Sequence, residues 1–174
     1  MRKAPGFVLF ALAVVGCGGE TSPSVLSQSV GGWTVFADPF TNGSANPAAA
    51  IAGSARATAL DNGGMHLELD VSGLPPSRTF GAHLHKLTCE DMMKAGPHYQ
   101  HTPSPGAAND PAYANALNEA WLDFTTDAQG AAVGKTDVAW VPRAGEAKAI
   151  IVHANPTAPG GAAGARLACL SLPF

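Results

Sequence analysis

The feature that most constrains the fold is a strict alternation of apolar and polar residues after a glycine-containing turn. Met65, Leu67, Leu69 and Val71 alternate with polar residues, and the sequence Asp-Asn-Gly-Gly stands directly before them at positions 61–64. Because successive side chains of a strand point to opposite faces, the alternation predicts a strand with one buried and one solvated face. The Asn-Gly pair predicts a tight turn that joins this strand to an antiparallel neighbour.

Turn residues and short apolar segments continue along the chain, which contains 20 glycines and 14 prolines. No segment shows the period of a long amphipathic helix. The pattern predicts an all-β fold, a Greek-key barrel or sandwich of about eight antiparallel strands. Strands are expected within these segments: 33–40, 48–60, 65–71, 79–87, 120–126, 131–141, 147–154 and 166–172. Residues 88–118 hold four prolines and no strand pattern, and so long a loop in a compact domain is usually functional or disordered.

The N-terminus resembles a bacterial export signal. Arg2 and Lys3 precede an apolar run at 7–15, which is too short to span a bilayer and is followed by small residues. The letters LAVVGC resemble the lipobox, which predicts residues 1–16 as a lipoprotein signal peptide and a lipid on Cys17. An ordinary signal peptide followed by a chance cysteine is the alternative.

The lipoprotein interpretation divides the chain and predicts its location. Residues 17–31 are small and polar and are expected to form a flexible tether, with the β-domain at 32–174. The expected location is the bacterial cell envelope, as a periplasm-facing lipoprotein that contacts the membrane only through its lipid anchor. Gly18 stands where some inner-membrane lipoproteins carry aspartate, which favours the outer membrane.

The charge of the chain argues against one class of partner. The formal net charge is −3, and loss of the signal peptide would remove two basic residues, leaving eight basic against 13 acidic residues, or −5. Proteins that bind nucleic acid favour basic patches, so no nucleic-acid partner is expected.

Three cysteines are an odd number for an exported protein, because one would stay unpaired. If Cys17 carries the lipid, Cys89 and Cys169 remain as one pair in an oxidising compartment. Two buried free thiols are the alternative.

The histidines are concentrated, with four of the six in one short stretch. His83 and His85 stand two apart in a predicted strand and therefore share one face. His98 follows a rigid Gly-Pro turn, and His153 ends an apolar strand. Three or four neutral imidazoles brought together suit copper or zinc, and copper binds most tightly among the divalent first-row metals. His66 lies on the solvated face of its strand beside two carboxylates, and no chemistry is expected of it.

The segments SGLPPSRTFGAHLH, AGPHYQH, AIIVHA and GARLAC follow one another along the chain. In this order they resemble parts of the copper/zinc superoxide dismutase family. The first resembles the strand leading into a His-x-His copper pair, and the second the segment whose histidine bridges copper to zinc. The third resembles the strand that ends in the last copper ligand, and the fourth the segment with a substrate-guiding arginine and the second half-cystine. The resemblance covers about residues 32–174.

The resemblance implies a site and a reaction. Four histidines would bind the copper: His83, His85, His98 and His153. Arg166 would attract and position superoxide as a catalytic residue, and His98 would supply a proton. Cys89 and Cys169 match the disulfide of the family. The implied function is a copper-dependent superoxide dismutase, which converts superoxide, its small-molecule substrate, to oxygen and hydrogen peroxide. Both monomers and dimers are compatible with the family.

The chain departs from the family at the zinc site. The family places two further histidines and an aspartate after the bridging residue, whereas only His101 occurs between His98 and the next strand. A zinc site could be assembled from His98, His101 and Asp110. The favoured interpretation is a copper-only protein without zinc, in which His101 is a loop residue or supports the site indirectly.

A second departure concerns electrostatic steering. The segment 154–165 has no charged residue, whereas the matching loop of the family is longer and carries charges that guide superoxide. Either the copper is more open to solvent, or Lys86 or Lys94 replaces the missing charges.

Two other functions remain open. One is a non-catalytic periplasmic protein that binds or sequesters copper on the same fold. The other is a metal-free interaction domain. Arg166 favours the enzyme, because copper storage has no evident need of an arginine beside the metal.

Overall fold

The computed structural model describes residues 23–36 and 51–174. The predicted signal peptide and Cys17 lie outside these residues. Within the described residues, no helix has the length and apolar character needed to cross a bilayer.

Ten strands are present in the described part of the chain. They are β1 (Val25–Val30), β2 (Thr34–Val35), β3 (Ala52–Ala59), β4 (Met65–Ser72), β5 (Thr79–Phe80), β6 (Ala82–His85), β7 (Phe124–Thr125), β8 (Ala132–Val138), β9 (Ala149–His153) and β10 (Arg166–Ser171). One four-stranded sheet has the order β1-β3-β4-β8, a second has the order β2-β10-β9-β6, and β5 pairs with β7. The predicted all-β antiparallel fold is confirmed. Over residues 23–36 and 51–174, the sheets form a Greek-key sandwich and do not close into a barrel.

The core lies between the two larger sheets, and β4 shows how the sequence builds it. Its four alternating apolar residues are 0% exposed: Met65, Leu67, Leu69 and Val71. They belong to the same core as Leu84, Ile150 and Leu170 of the second sheet. Burial of each such side chain contributes about 1.5–3 kcal/mol, so the alternation fixes which face of β4 turns inward. The hairpin predicted at 61–64 joins β3 to β4, which pair in antiparallel register.

The tether predicted at 17–31 is wrong for its C-terminal part, because Val25–Val30 pairs with β3 as an edge strand. Ser27 is buried, and its hydroxyl donates a hydrogen bond to the carbonyl oxygen of Pro173 at 2.7 Å. Val30 is 85% exposed. The strand therefore buries a serine and exposes a valine, the reverse of the pattern that sequence reasoning relies on.

The single strand expected at 79–87 is divided into β5 and β6 at Gly81. A Cβ atom at Gly81 would lie 2.8 Å from the hydroxyl oxygen of Thr157 and 2.9 Å from the Cβ atom of Ala163. The missing side chain therefore lets the loop at 154–165 pack directly against the sheet. Residues 88–118 form the long irregular connection that was predicted.

Candidate metal centre

The four predicted ligands converge at the edge of the second sheet. His83 and His85 project from β6, and His153 ends the neighbouring strand β9. His98 lies in the irregular connection, where a backbone bridge holds it opposite His85. One nitrogen from each of the four imidazoles lies within 4.8 Å of those of the others. The structure therefore brings together the residues that the sequence predicted as copper ligands.

Hydrogen bonds decide which nitrogen of each ring faces the centre. In three rings Nδ1 is engaged, which leaves Nε2: His85 Nδ1 lies 2.8 Å from Gly96 O, His98 Nδ1 lies 2.7 Å from Glu119 Oε2, and His153 Nδ1 lies 3.3 Å from Gly164 O. In His83 the roles of the two nitrogens are exchanged, because Nε2 is the engaged atom and lies 2.6 Å from Thr157 Oγ1. Its Nδ1 is buried and has no hydrogen-bond partner among the described residues. One Nδ1 and three Nε2 atoms are thus free for a metal.

The arrangement of these free nitrogens fits a cation. His85 Nε2 lies 3.3 Å from His153 Nε2. Because Nδ1 of each ring donates to a carbonyl oxygen, both Nε2 atoms of the neutral rings carry lone pairs, and two facing lone pairs repel unless a proton or metal ion lies between them. Together with the unpartnered Nδ1 of His83, they form an all-nitrogen donor set of the kind that copper and zinc accept.

The protonation of the rings favours metal binding. Burial lowers the pKa of His83 and of His85 far below its ordinary value, and the charges of His98 and His153 add to this lowering. Burial and the charge of His98 lower the pKa of His153 to about 4. These three rings are therefore neutral at pH 7, as a metal ligand must be.

Glu119 is a functional residue that sequence reasoning missed. Its carboxylate is 1% exposed and accepts three hydrogen bonds. The donors are His98 Nδ1 at 2.7 Å, Trp121 Nε1 at 2.8 Å and Gln100 Nε2 at 2.9 Å. The carboxylate thus lies against the nitrogen of His98 that faces away from the other three histidines.

A glycine allows the loop at 154–165 to cover His98 and Glu119. Gly161 has a φ of +75°, and a Cβ atom there would lie 3.2 Å from the His98 ring and 3.3 Å from Glu119 Oε2. A side chain at this position would press on both groups. The loop therefore closes over His98 and Glu119 with backbone alone.

His101 and Asp110, which were considered with His98 as zinc ligands, do not belong to the group of potential ligands that the described residues bring together, the four histidines. The His101 ring stacks on Trp140, with centroids 5.2 Å apart and planes 6° from parallel. The Asp110 carboxylate accepts the backbone N–H of Ala112 and so closes a local turn. Zinc binding at these residues stays a prediction.

Arg166 is placed beside the cluster by strand pairing. It stands opposite His153 in the β9–β10 ladder, next to a register shift between Arg166 and Ala168. Its guanidinium donates to three backbone carbonyl oxygens: Lys94 at 2.7 Å, Gly96 at 2.6 Å and Met93. The guanidinium has five N–H donors, so two are left over from these contacts for an anion.

The two lysines considered as replacements for the missing loop charges have different surroundings. Lys86 lines a cavity of about 140 Å³ whose wall includes His98. Lys94 Nζ lies 5.1 Å from the centroid of the Phe36 ring. Lys86 is therefore the one of the two that adjoins a ligand.

The predicted disulfide is confirmed, because Cys89 and Cys169 are joined. The bond joins the irregular connection to β10. Its first cysteine, Cys89, stands only a few residues before Gly96. The carbonyl oxygen of Gly96 accepts hydrogen bonds from both His85 Nδ1 and Arg166 Nη2. The disulfide thus holds the segment that orients a ligand and the arginine.

Comparison with solved structures finds the same fold. The crystal structure of a double mutant of a SOD-like protein from Bacillus subtilis aligns with a TM-score of 0.52 and 22% sequence identity, over 70% of this chain and 89% of that one. At that identity the likeness concerns the fold. No curated protein matches the chain.

The family model described as copper/zinc superoxide dismutase matches residues 51–171. The match covers more than half of the chain and runs through every segment that contributes a histidine to the cluster. The chain is therefore a member of the copper/zinc superoxide dismutase family.

Proposed function

We propose that this protein binds copper through its four clustered histidines and disproportionates superoxide to oxygen and hydrogen peroxide. The observation that carries the proposal is the pairing of Arg166 with His153 across the β9–β10 ladder. This register sets a guanidinium with spare N–H donors beside four imidazole nitrogens that lie within 4.8 Å of one another. A site that only stored copper would gain nothing from an anion-binding group at that position.

Copper would supply the electron transfer, because it cycles between Cu(II) and Cu(I) in an imidazole environment. The residues of the chain supply the rest of the chemistry. Arg166 offers a permanent positive charge, which lowers the electrostatic cost of bringing an anion to the site. Its three carbonyl contacts hold the guanidinium in one place, so little further ordering is needed when superoxide binds.

His98 is the ring best suited to hold and release a proton. Its Nδ1–H donates to the Glu119 carboxylate, so a proton taken up at Nε2 would create an imidazolium that this carboxylate stabilises. The same ring is only half-buried, unlike the fully buried His83 and His85. We therefore assign to His98 the transfer of a proton between the site and solvent.

We propose further that the protein works without zinc. Glu119 occupies the Nδ1 side of His98, where the family's bridging histidine faces zinc, and its other oxygen is held by Gln100. A buried carboxylate that already accepts three hydrogen bonds fixes the ring without a second metal.

The proposed location is the bacterial envelope, with the protein as a periplasm-facing lipoprotein anchored through Cys17. The export-like N-terminus and the lipobox-like LAVVGC support this proposal. The disulfide between Cys89 and Cys169 supports it too, because such bonds persist in oxidising compartments.

The second candidate function is copper sequestration without turnover. The uncharged loop at 154–165 favours it, because that loop offers no charge to guide superoxide. Both functions need the four histidines, and only the dismutase needs Arg166.

The test begins with protein loaded with copper and separated from free metal. Elemental analysis of the protein as isolated should give copper and little zinc. Superoxide decay should then be measured for the wild type, His153→Ala and Arg166→Ala, with His66→Ala and Arg56→Ala as matched controls from the β4 and β3 strands. We expect turnover that is abolished in His153→Ala, reduced in Arg166→Ala with copper retained, and unchanged in both controls. Tight copper binding with no turnover in the wild type would favour sequestration instead.

A further inference from the structure

The loop at 154–165 reaches into the metal centre through Thr157. The Thr157 hydroxyl oxygen lies 2.6 Å from His83 Nε2 and 2.6 Å from Asp123 Oδ1. The backbone N–H of Thr157 donates to the other carboxylate oxygen, Oδ2, at 2.7 Å. Asp123 therefore accepts hydrogen bonds from the backbone N–H and the hydroxyl of Thr157. The same hydroxyl contacts His83, a predicted copper ligand.

The direction of these hydrogen bonds follows from the groups involved. A carboxylate only accepts, and a threonine hydroxyl has a single proton, so Thr157 donates to Asp123. The hydroxyl oxygen must then accept a hydrogen bond from His83, so the ring proton is on Nε2. The lone pair is left on Nδ1, the buried atom that has no partner among the described residues.

Asp123 cannot set this tautomer by direct contact. Its Oδ1 lies 3.9 Å from His83 Nε2, beyond hydrogen-bond distance. The hydroxyl of Thr157 fills that gap, and the absence of a side chain at Gly81 makes room for it.

Resting on the proposed function, we propose that Thr157 is a positioning residue for copper. Its hydroxyl donates a hydrogen bond to Asp123 and accepts one from His83. This contact holds the His83 ring as the Nε2–H tautomer and so presents Nδ1 to the metal. The uncharged loop before Arg166 is thereby a structural part of the metal centre rather than only a cover over it.

The first experiment measures Cu(II) affinity by competition with a chelator, and the electron paramagnetic resonance spectrum of the Cu(II) protein. Thr157→Val keeps the shape of the side chain and removes the relay, whereas Thr157→Ser keeps the hydroxyl. The control is Thr125→Val, whose hydroxyl contacts Thr79 at the protein surface. We expect Thr157→Val to lose about 10- to 100-fold in affinity, with a changed spectrum. Thr157→Ser and Thr125→Val should resemble the wild type.

A second measurement needs no metal. Nitrogen-15 NMR of the histidine side chains in the metal-free protein should show His83 as the Nε2–H tautomer in the wild type and in Thr157→Ser. In Thr157→Val the ring should become a mixture of tautomers. If Thr157→Val fails to fold, Thr157→Ala carries the same expectations.

The outcomes separate this inference from the proposed function. A Thr157→Val protein with the affinity, spectrum and tautomer of a copper-binding wild type would overturn the role of Thr157 alone. A wild type that holds no copper at its histidines would overturn both.

Discussion

His98 Nδ1 lies 2.7 Å from Oε2 of Glu119, a carboxylate that is almost fully removed from solvent. The same oxygen also accepts the indole N–H of Trp121, and Gln100 donates to its neighbour Oε1. The ring that the family uses to bridge two metals is therefore held here by a network of the chain's own side chains.

Removal of that carboxylate should destabilise the fold as well as the site. Glu119→Ala would remove the acceptor of the part-buried Trp121 Nε1–H and of one N–H of the buried Gln100 amide, whose Nε2 also donates to the carbonyl oxygen of Ala108. We expect the loss to cost roughly 1–3 kcal/mol. Urea denaturation of the metal-free, disulfide-intact protein should show this loss in the free energy of unfolding. Glu68→Ala, which removes a half-exposed partner of Lys135, should stay within about 0.5 kcal/mol of the wild type. Equal stability of the two variants would contradict the proposed network.

The metal-free protein should lose stability as the pH falls from about 6.5 towards 4. Burial lowers the pKa of His153 from an ordinary 6.5 to about 4, so between these values the unfolded chain binds more protons than the folded one. The contribution of the neutral ring is complete above pH 6.5 and is lost as the pH falls through 4, up to about 3 kcal/mol. His83 and His85 act in the same direction.

Denaturation curves at pH 7, 5.5 and 4.5 measure this dependence. His153→Asn is the comparison, because it removes the titrating ring and should flatten the slope. A wild-type free energy of unfolding that does not change over this range would contradict the buried, neutral state of the ring.

Reduction of the disulfide should disturb copper binding at a distance. The Cys89–Cys169 bond closes a loop of about 80 residues, and its loss should cost roughly 2–5 kcal/mol of stability. It also frees the segment around Gly96, whose carbonyl oxygen orients both His85 and Arg166. A double Cys89→Ser and Cys169→Ser variant should therefore bind Cu(II) more weakly and turn over superoxide more slowly. Unchanged metal affinity in a folded double variant would refute this coupling.

Superoxide turnover should depend only weakly on ionic strength, because the loop before Arg166 carries no charge. Ala162 is exposed in that loop and lines a cavity of about 170 Å³ next to His98. Ala162→Lys should raise kcat/KM at low salt. The increase should stay below about 10-fold, the lower end of what a full electrostatic steering field gives. Ala162→Gln controls for size. If Ala162→Gln gives the same increase, charge is not the cause.

The sequence predicted the framework of the site because that framework follows strand periodicity. His83 and His85 share a face through the two-residue repeat of β6, and His153 ends an apolar strand that pairs with it. Glu119 and Thr157 could not be predicted in this way. They lie in irregular segments, and their roles arise only when two loops meet over the sheet.

The edge strand β1 was missed for a different reason. Its most buried residue is Ser27, whose hydroxyl donates a hydrogen bond to the carbonyl oxygen of Pro173, so the strand lacks the apolar alternation of β4. A contact across almost the whole chain leaves no local signal in the sequence.

The early start of β1 limits how far the domain can move from an anchor. Only eight Cα-to-Cα steps separate Cys17 from Val25, and so short a chain spans at most about 30 Å. With an acyl group on Cys17, as we propose, β1 would begin within this distance of the lipid headgroups, and the domain would work close to the membrane. Peroxide would then be released near the membrane that carries the anchor rather than throughout the surrounding compartment.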